Sequence, residues 1–64
     1  MKKGKVKFYN DSKGYGFIVE DDSQKDIFVH SSGLLSPINQ NDLVTFSVEQ
    51  GRKGMNAVNV ELVS

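Results

Sequence analysis

Apolar and polar residues alternate along this chain in five short runs, and no window of helical length repeats apolar residues every three or four positions. Such alternation is typical of strands that bury one face. The runs predict strands at residues 3–10, 15–20, 26–30, 43–50 and 55–63. The pattern therefore predicts an all-β protein.

Turn-forming residues lie between these runs. Residues 10–14 have the composition of a tight turn, and the glycine-bounded segment 51–54 predicts a hairpin turn. The segment 31–41 has no strand pattern. It can hold a short turn of helix at residues 31–34, which Pro37 would stop.

Five short strands cannot form a two-sheet sandwich of ordinary size, whereas a small barrel leaves no strand edge unpaired. We therefore predict a small five-stranded antiparallel barrel that forms one domain over residues 1–64. Alternation assigns nine apolar side chains to its interior, namely Val6, Ile18, Ile27, Val29, Val44, Phe46, Val48, Val58 and Val60. The outward-facing set includes Tyr15, Phe17, Phe28 and His30, and exposed rings in so small a domain need a reason.

Composition excludes several classes of site. The chain has no cysteine and one histidine, which excludes a disulfide framework and argues against a zinc site built from protein ligands. No apolar run approaches the roughly 20 residues of a membrane span, and no apolar segment follows the first lysines as it would in a signal peptide. We therefore expect a cytoplasmic protein with no membrane partner and no metal.

The charges balance over the whole chain, with 8 basic and 8 acidic residues, but they are segregated. Residues 1–18 carry five lysines and one aspartate, whereas residues 19–49 carry one lysine and six acidic residues. The balance alone argues weakly against nucleic-acid binding. The lysines of the first segment, however, are interleaved with aromatic residues, which is more than a solvated charged face requires.

Two short segments carry most of the functional information, KGYGFI at residues 13–18 and DIFVH at residues 26–30. Side chains of a strand alternate between faces, so Tyr15 and Phe17 point the same way, as do Phe28 and His30. Flat rings on one face of a sheet, with lysines beside them, form a stacking surface for unpaired bases. A side chain at Gly14 or Gly16 would crowd the rings or an approaching ligand.

Other interpretations remain open at this point. The rings could instead be the core of an ordinary barrel, or they could bind a peptide as a protein-interaction module. Catalysis is disfavoured, because His30 has no second histidine, cysteine or oriented nucleophile to work with. The glycine pair also lacks the third glycine of a dinucleotide site. We expect no enzymatic activity, no cofactor and no small-molecule substrate.

The two segments resemble the first and second ribonucleoprotein motifs of RNA-binding sheets. Their order and spacing resemble the cold-shock protein family, which are small five-stranded barrels of the oligonucleotide-binding (OB) type. Residues 4–10 resemble the first strand of that family and residues 57–60 its last. The RNA-recognition motif fits less well, because it needs two helices and carries its motifs in the opposite order.

The resemblance implies a binding surface made of Lys7, Phe8, Lys13, Tyr15, Phe17, Asp26, Phe28, His30 and Lys53. The rings would stack on bases, Asp26 would accept hydrogen bonds from base amino groups, and the lysines would meet phosphates or base edges. The family binds single-stranded RNA and DNA with little sequence preference and acts as an RNA chaperone, often in the cold. We expect a monomer with these partners.

Three departures from the family pattern each remove ring area. Phe8 stands where tryptophan is common, Ser31 stands where another aromatic is frequent, and the loop 34–41 is short and has no aromatic. Each stacked base contributes about 1–3 kcal/mol, so we expect weaker binding than in relatives with more aromatic residues. Strict alternation also puts Phe8 on the core side with Val6, whereas the resemblance puts it on the binding surface. A bulge or strong coiling in the first strand would reconcile the two.

Overall fold

A computed structural model of the protein describes residues 1–51 and 54–63. Five strands close into a barrel: β1 (Lys2–Asn10), β2 (Tyr15–Glu20), β3 (Asp26–His30), β4 (Leu43–Gly51) and β5 (Gly54–Leu62). A short 3₁₀ turn, Ser31–Gly33, follows β3. The prediction of an all-β five-stranded barrel is confirmed. The described residues contain no helix long and apolar enough to cross a membrane.

The strands follow one another around the barrel in the order β1-β2-β3-β5-β4, and β4 pairs with β1 to close it. The pairing of β3 with β5 is parallel, and the other four pairings are antiparallel. Direction cannot alternate all the way around a ring with an odd number of strands. One parallel contact is therefore unavoidable, and an antiparallel arrangement holds for every pairing but this one.

The interior is filled by aliphatic side chains around one buried ring, Phe46. Seven of the nine side chains predicted for the core are buried: Val6, Ile18, Ile27, Val29, Val44, Phe46 and Val60. The prediction was wrong for Val58, which is half-buried outside the core, and for Val48, which is half-buried at its margin. Ile38 and Ala57 complete the core instead.

A bulge in β5 explains the error at Val58. Thr45 lies opposite Glu61, yet Ser47 lies opposite Val58, so β5 carries one residue more than β4 between these pairs. Asn59 has a left-handed backbone with φ of 54°. The extra residue shifts the phase of the alternation, which turns Ala57 inward and Val58 outward.

A second bulge lies in β1. Val6 lies opposite Ile18 and Phe8 lies opposite Phe17, so Lys7 is the extra residue. The side chain of Val6 is fully buried, whereas Phe8 is 38% exposed. Of the two arrangements that could bring Phe8 outward, a bulge is the one present, and it brings Lys7 and Phe8 together on the outer surface.

A buried carboxylate ties the start of β1 to the end of β2. Glu20 is 7% exposed, accepts a hydrogen bond of 2.6 Å from the Ser23 hydroxyl, and forms an ion pair of 2.9 Å with Lys2. The hydrogen bond from Ser23, followed by the contact with Lys2, lowers the pKa of Glu20 below its usual range. The contact with Glu20 in turn raises the pKa of Lys2.

Because Asn59 has a left-handed backbone, a residue that normally favours strands should lower the stability of the protein at this position. Asn59→Val should destabilise the protein by about 1–2 kcal/mol, because a β-branched side chain clashes with the backbone at positive φ. Asn59→Gly should be tolerated. Urea unfolding of both variants measures the difference, and a valine variant more stable than the glycine variant would contradict the assigned bulge.

The lowered pKa of Glu20 predicts that the free energy of unfolding falls at acidic pH. The folded state holds the carboxylate charged, so its contribution is present above the ordinary glutamate pKa of about 4.3 and is lost as pH falls through the lowered value. Glu20→Gln should flatten the fall in unfolding free energy below about pH 4.

The exposed Glu61→Gln is the matched control, because Glu61 forms no ion pair among the described residues. Chemical denaturation at a series of pH values compares the two variants with the parent. If the unfolding free energy of the Glu20→Gln variant fell at low pH as steeply as that of the parent, the Glu20 carboxylate would not be the cause of the fall.

Candidate nucleic-acid interface

Four aromatic rings form a continuous row across the outer face of β1, β2 and β3. The ring centroids lie 5.5 Å apart for Phe8 and Phe17, 5.8 Å for Phe17 and Phe28, and 5.8 Å for Phe28 and Tyr15. All four side chains are partly or largely accessible to solvent. The ring surface, as we call these four residues, is therefore outside the barrel, and the interpretation of the rings as core is wrong.

Strand register produces this row. Phe8 pairs with Phe17 across β1 and β2, and Phe17 pairs with Phe28 across β2 and β3. Paired residues of neighbouring strands share a face, so one register places three rings side by side. Tyr15 adds the fourth, with its ring stacked on Phe28 at an interplanar angle of 22°.

His30 lies at the edge of the ring surface, paired with Tyr15. Its Nδ1 accepts a hydrogen bond of 3.1 Å from the backbone N–H of Ser32, and the Ser32 hydroxyl lies 3.0 Å from the same nitrogen. These contacts orient the exposed imidazole at the end of β3.

The two glycines of the first motif have structural roles that differ from the predicted ones. Gly14 has a φ of 74°, and its N–H donates to the carbonyl of Asn10 at 2.8 Å, so it closes the turn after β1. A Cβ on Gly16 would clash with the Phe8 carbonyl oxygen and lie 2.7 Å from the Cα of Tyr9. Gly16 therefore allows close approach of β1, rather than clearing space for the rings or a ligand.

Lys13 stands on the turn between β1 and β2, next in sequence to Gly14 and exposed to solvent. Its backbone N–H donates to the Asn10 side chain at 3.0 Å, which fixes the turn. Its ammonium forms no ion pair among the described residues. The predicted site residue Lys53 lies outside the described residues.

Lys7 and Asp26 meet beside the ring surface, although 19 positions separate them in the chain. The Lys7 ammonium lies 3.0 Å from a carboxylate oxygen of Asp26, and both side chains are about half exposed, at 54% and 47%. Asp26 is on the same face of β3 as Phe28. The pair places a hydrogen-bond donor and an acceptor together at the edge of the rings.

One residue beside the ring surface was not predicted from the sequence. Asn56 pairs with Phe28 through the parallel contact of β5 with β3, so it extends the ring surface onto β5. It is half-buried, and its side chain lies over the backbone of Gly51. No local pattern indicates such a contact, because the two strands are far apart in sequence.

Within residues 1–51 and 54–63 there is no group of three or more side chains able to hold a metal ion.

A small closed barrel with a row of rings on three strands and polar groups at their edge defines an OB-type nucleic-acid-binding domain. Comparison with known families supports this assignment: the family described as "'Cold-shock' DNA-binding domain" matches residues 2–63. The chain belongs to the cold-shock domain family, whose members are of a nucleic-acid-binding kind.

Individual relatives match over nearly the whole chain. The cold shock-like protein CspJ of Salmonella typhimurium (strain SL1344) is 52% identical over 61 residues, covering 89% of this chain and 87% of the relative. The cold shock-like protein CspG of Escherichia coli (strain K12) is 48% identical over the same coverage.

A solved structure described as drosophila Unr CSD456 has the same fold, with a TM-score of 0.84 at 24% identity. The match covers 98% of this chain but 26% of that larger chain. At this level of identity the likeness concerns the fold alone.

Proposed function

We propose that this protein binds single-stranded RNA and DNA with low sequence specificity, by stacking unpaired bases on the ring surface. The single observation that carries the proposal is the continuous row of four partly solvent-accessible rings, whose neighbouring centroids are 5.5–5.8 Å apart. Every base has a flat π-face, so a row of rings binds single strands with little regard to sequence. Bases inside a duplex cannot reach it.

The polar groups around the rings have complementary roles in this proposal. The Asp26 carboxylate accepts hydrogen bonds from base amino groups, while lysines meet phosphates or base edges. The proposed contact residues are Lys7, Phe8, Lys13, Tyr15, Phe17, Asp26, Phe28, His30 and Lys53. The role of Lys53 is supported by the family resemblance alone.

The same physics supports a role as an RNA chaperone, in the cold-shock response or in general transcript handling. Opening a duplex costs about 1.4 kcal/mol per base step, and a protein that binds only the open form shifts the equilibrium toward it by mass action. Such a protein must also release its ligand readily. The exposed Ser31, where relatives often carry a further ring, favours this weaker mode of binding.

The remaining parts of the proposal follow from the same family membership. We propose that the protein acts in the cytoplasm, as a single domain and as a monomer. The closed barrel supports the monomer, since its strands pair all the way around and offer no long free edge to a second copy.

A protein-binding module is the second candidate function. One observation favours it: Asp26 neutralises Lys7 beside the rings, which weakens the attraction for a polyanion. Apolar side chains of a peptide could then cover the same rings. The response to salt separates the two, because oligonucleotide binding weakens steeply with salt and peptide binding does so less.

The position of Phe28 in the middle of the row predicts a large loss of binding on truncation. Phe28→Ala should weaken binding of a pyrimidine-rich single strand by about 1–3 kcal/mol. The barrel should stay folded, because the ring lies outside the core. Fluorescence titration with a labelled strand at fixed salt measures the affinity, and circular dichroism checks the fold.

Leu43→Ala is the matched control, since Leu43 is a 57% exposed apolar residue on β4, a strand that carries none of the four rings. It should bind as the parent does. Equal weakening in both variants, or parental binding by Phe28→Ala, would contradict the ring surface as the binding site. So would equal affinity for a stable duplex of the same sequence.

The two lysines at this surface should differ in their effect on salt dependence. Lys13→Gln should reduce the slope of log affinity against log salt by about one charge, because its ammonium is free to meet a phosphate. Lys7→Gln should reduce it less, because Asp26 already neutralises Lys7. Titration at four salt concentrations gives both slopes, and a larger change for Lys7→Gln would contradict this assignment.

A further inference from the structure

The outer face of β2 continues past the rings. Tyr15, Phe17 and Val19 all lie on this face, because every second residue of a strand points the same way, and neighbours among them are about 7 Å apart. Val19 is half-buried and forms part of the lining of a depression of about 420 Å³, which none of the four rings lines. Val19, the last of these three residues, therefore connects the face of β2 that carries the rings to this depression.

The depression combines an apolar surface with a cation that forms no ion pair within residues 1–51 and 54–63. Its charged lining groups among the described residues are Lys5, Lys7 and Asp21. Lys7 is engaged by Asp26, whereas the exposed ammonium of Lys5, which pairs with Val19 across β1 and β2, forms no ion pair in the described structure. Lys5 is therefore the lining cation that we expect to attract an anion most strongly.

The depression is also lined by two residues with amide side chains, Gln24 and Asn41. Both have left-handed backbones, with φ of 59° and 73°. The Gln24 side-chain N–H donates to the Asp21 carbonyl at 2.8 Å, which leaves its amide oxygen as an acceptor. A volume of about 420 Å³ lies within the range of roughly 300–1,000 Å³ typical of small-ligand sites.

We propose that this depression is an additional nucleotide subsite, which receives one nucleotide of a strand that already covers the rings. The base would lie against Val19 with its polar edge toward the amide groups, and the phosphate would meet the Lys5 ammonium. This inference rests on the proposed function, because it extends the same strand. The Asp21 carboxylate in the lining opposes an anion and limits the gain to a modest one.

The test is the length dependence of binding. Oligothymidine strands are lengthened one nucleotide at a time and titrated at one low salt concentration. With the parent, the nucleotide that reaches the depression should tighten binding about threefold to tenfold beyond the statistical gain in registers.

Lys5→Gln should remove most of this step while leaving the affinity for shorter strands unchanged. Lys3→Gln is the matched control, since Lys3 is an exposed lysine on the same strand that does not line the depression. It should keep the step. Amide shifts of Val19 and Gln24 should appear only with the longer strand.

Two outcomes would overturn the subsite: the absence of a step with the parent, and an equal loss at all lengths in the Lys5→Gln variant. Failure of the proposed function itself looks different. In that case the short strands would not bind to the parent, or Phe28→Ala would leave their binding intact.

Discussion

The limited interior of a barrel closed by five strands is the constraint on which the rest of this structure depends. The core holds one ring, Phe46, among aliphatic side chains, and every one of its buried hydrophobic residues is at most 8% exposed. Proteins pack their interiors densely, so further rings inside this core would have to displace the side chains that fill it. The rings of β1, β2 and β3 are therefore held outside, in a row set by strand register, and their exposure is a stability cost that a stacking ligand would relieve.

Two bulges adapt the alternating pattern to this small barrel. One extra residue reverses the face of every residue beyond it, so a bulge at Lys7 is enough to turn Phe8 outward while Val6 remains buried. The bulge at Asn59 acts on β5 in the same way and turns Ala57 inward. The first bulge serves the proposed site, and the second serves the core.

Alternation along the chain was enough to predict the strands, the outward direction of Phe17 and Phe28, and most of the core. It failed at Val58, because the left-handed backbone at Asn59 has no signature in an alternating pattern. It also could not reveal the contact of Asn56 with β3 or the pairing of Lys7 with Asp26. Both join residues that are distant in sequence, and closure of the barrel brings them together.

The central claim is that unpaired bases stack on the ring surface, and the ring protons of Phe17 and Phe28 report on it most directly. Titration of the protein with a short single strand, followed by proton NMR, should shift these ring resonances upfield, as stacking on a base requires. The resonances of Phe46 in the core should move little. Unchanged Phe17 and Phe28 resonances at saturation, or the same upfield shifts on adding a stable duplex, would contradict the account.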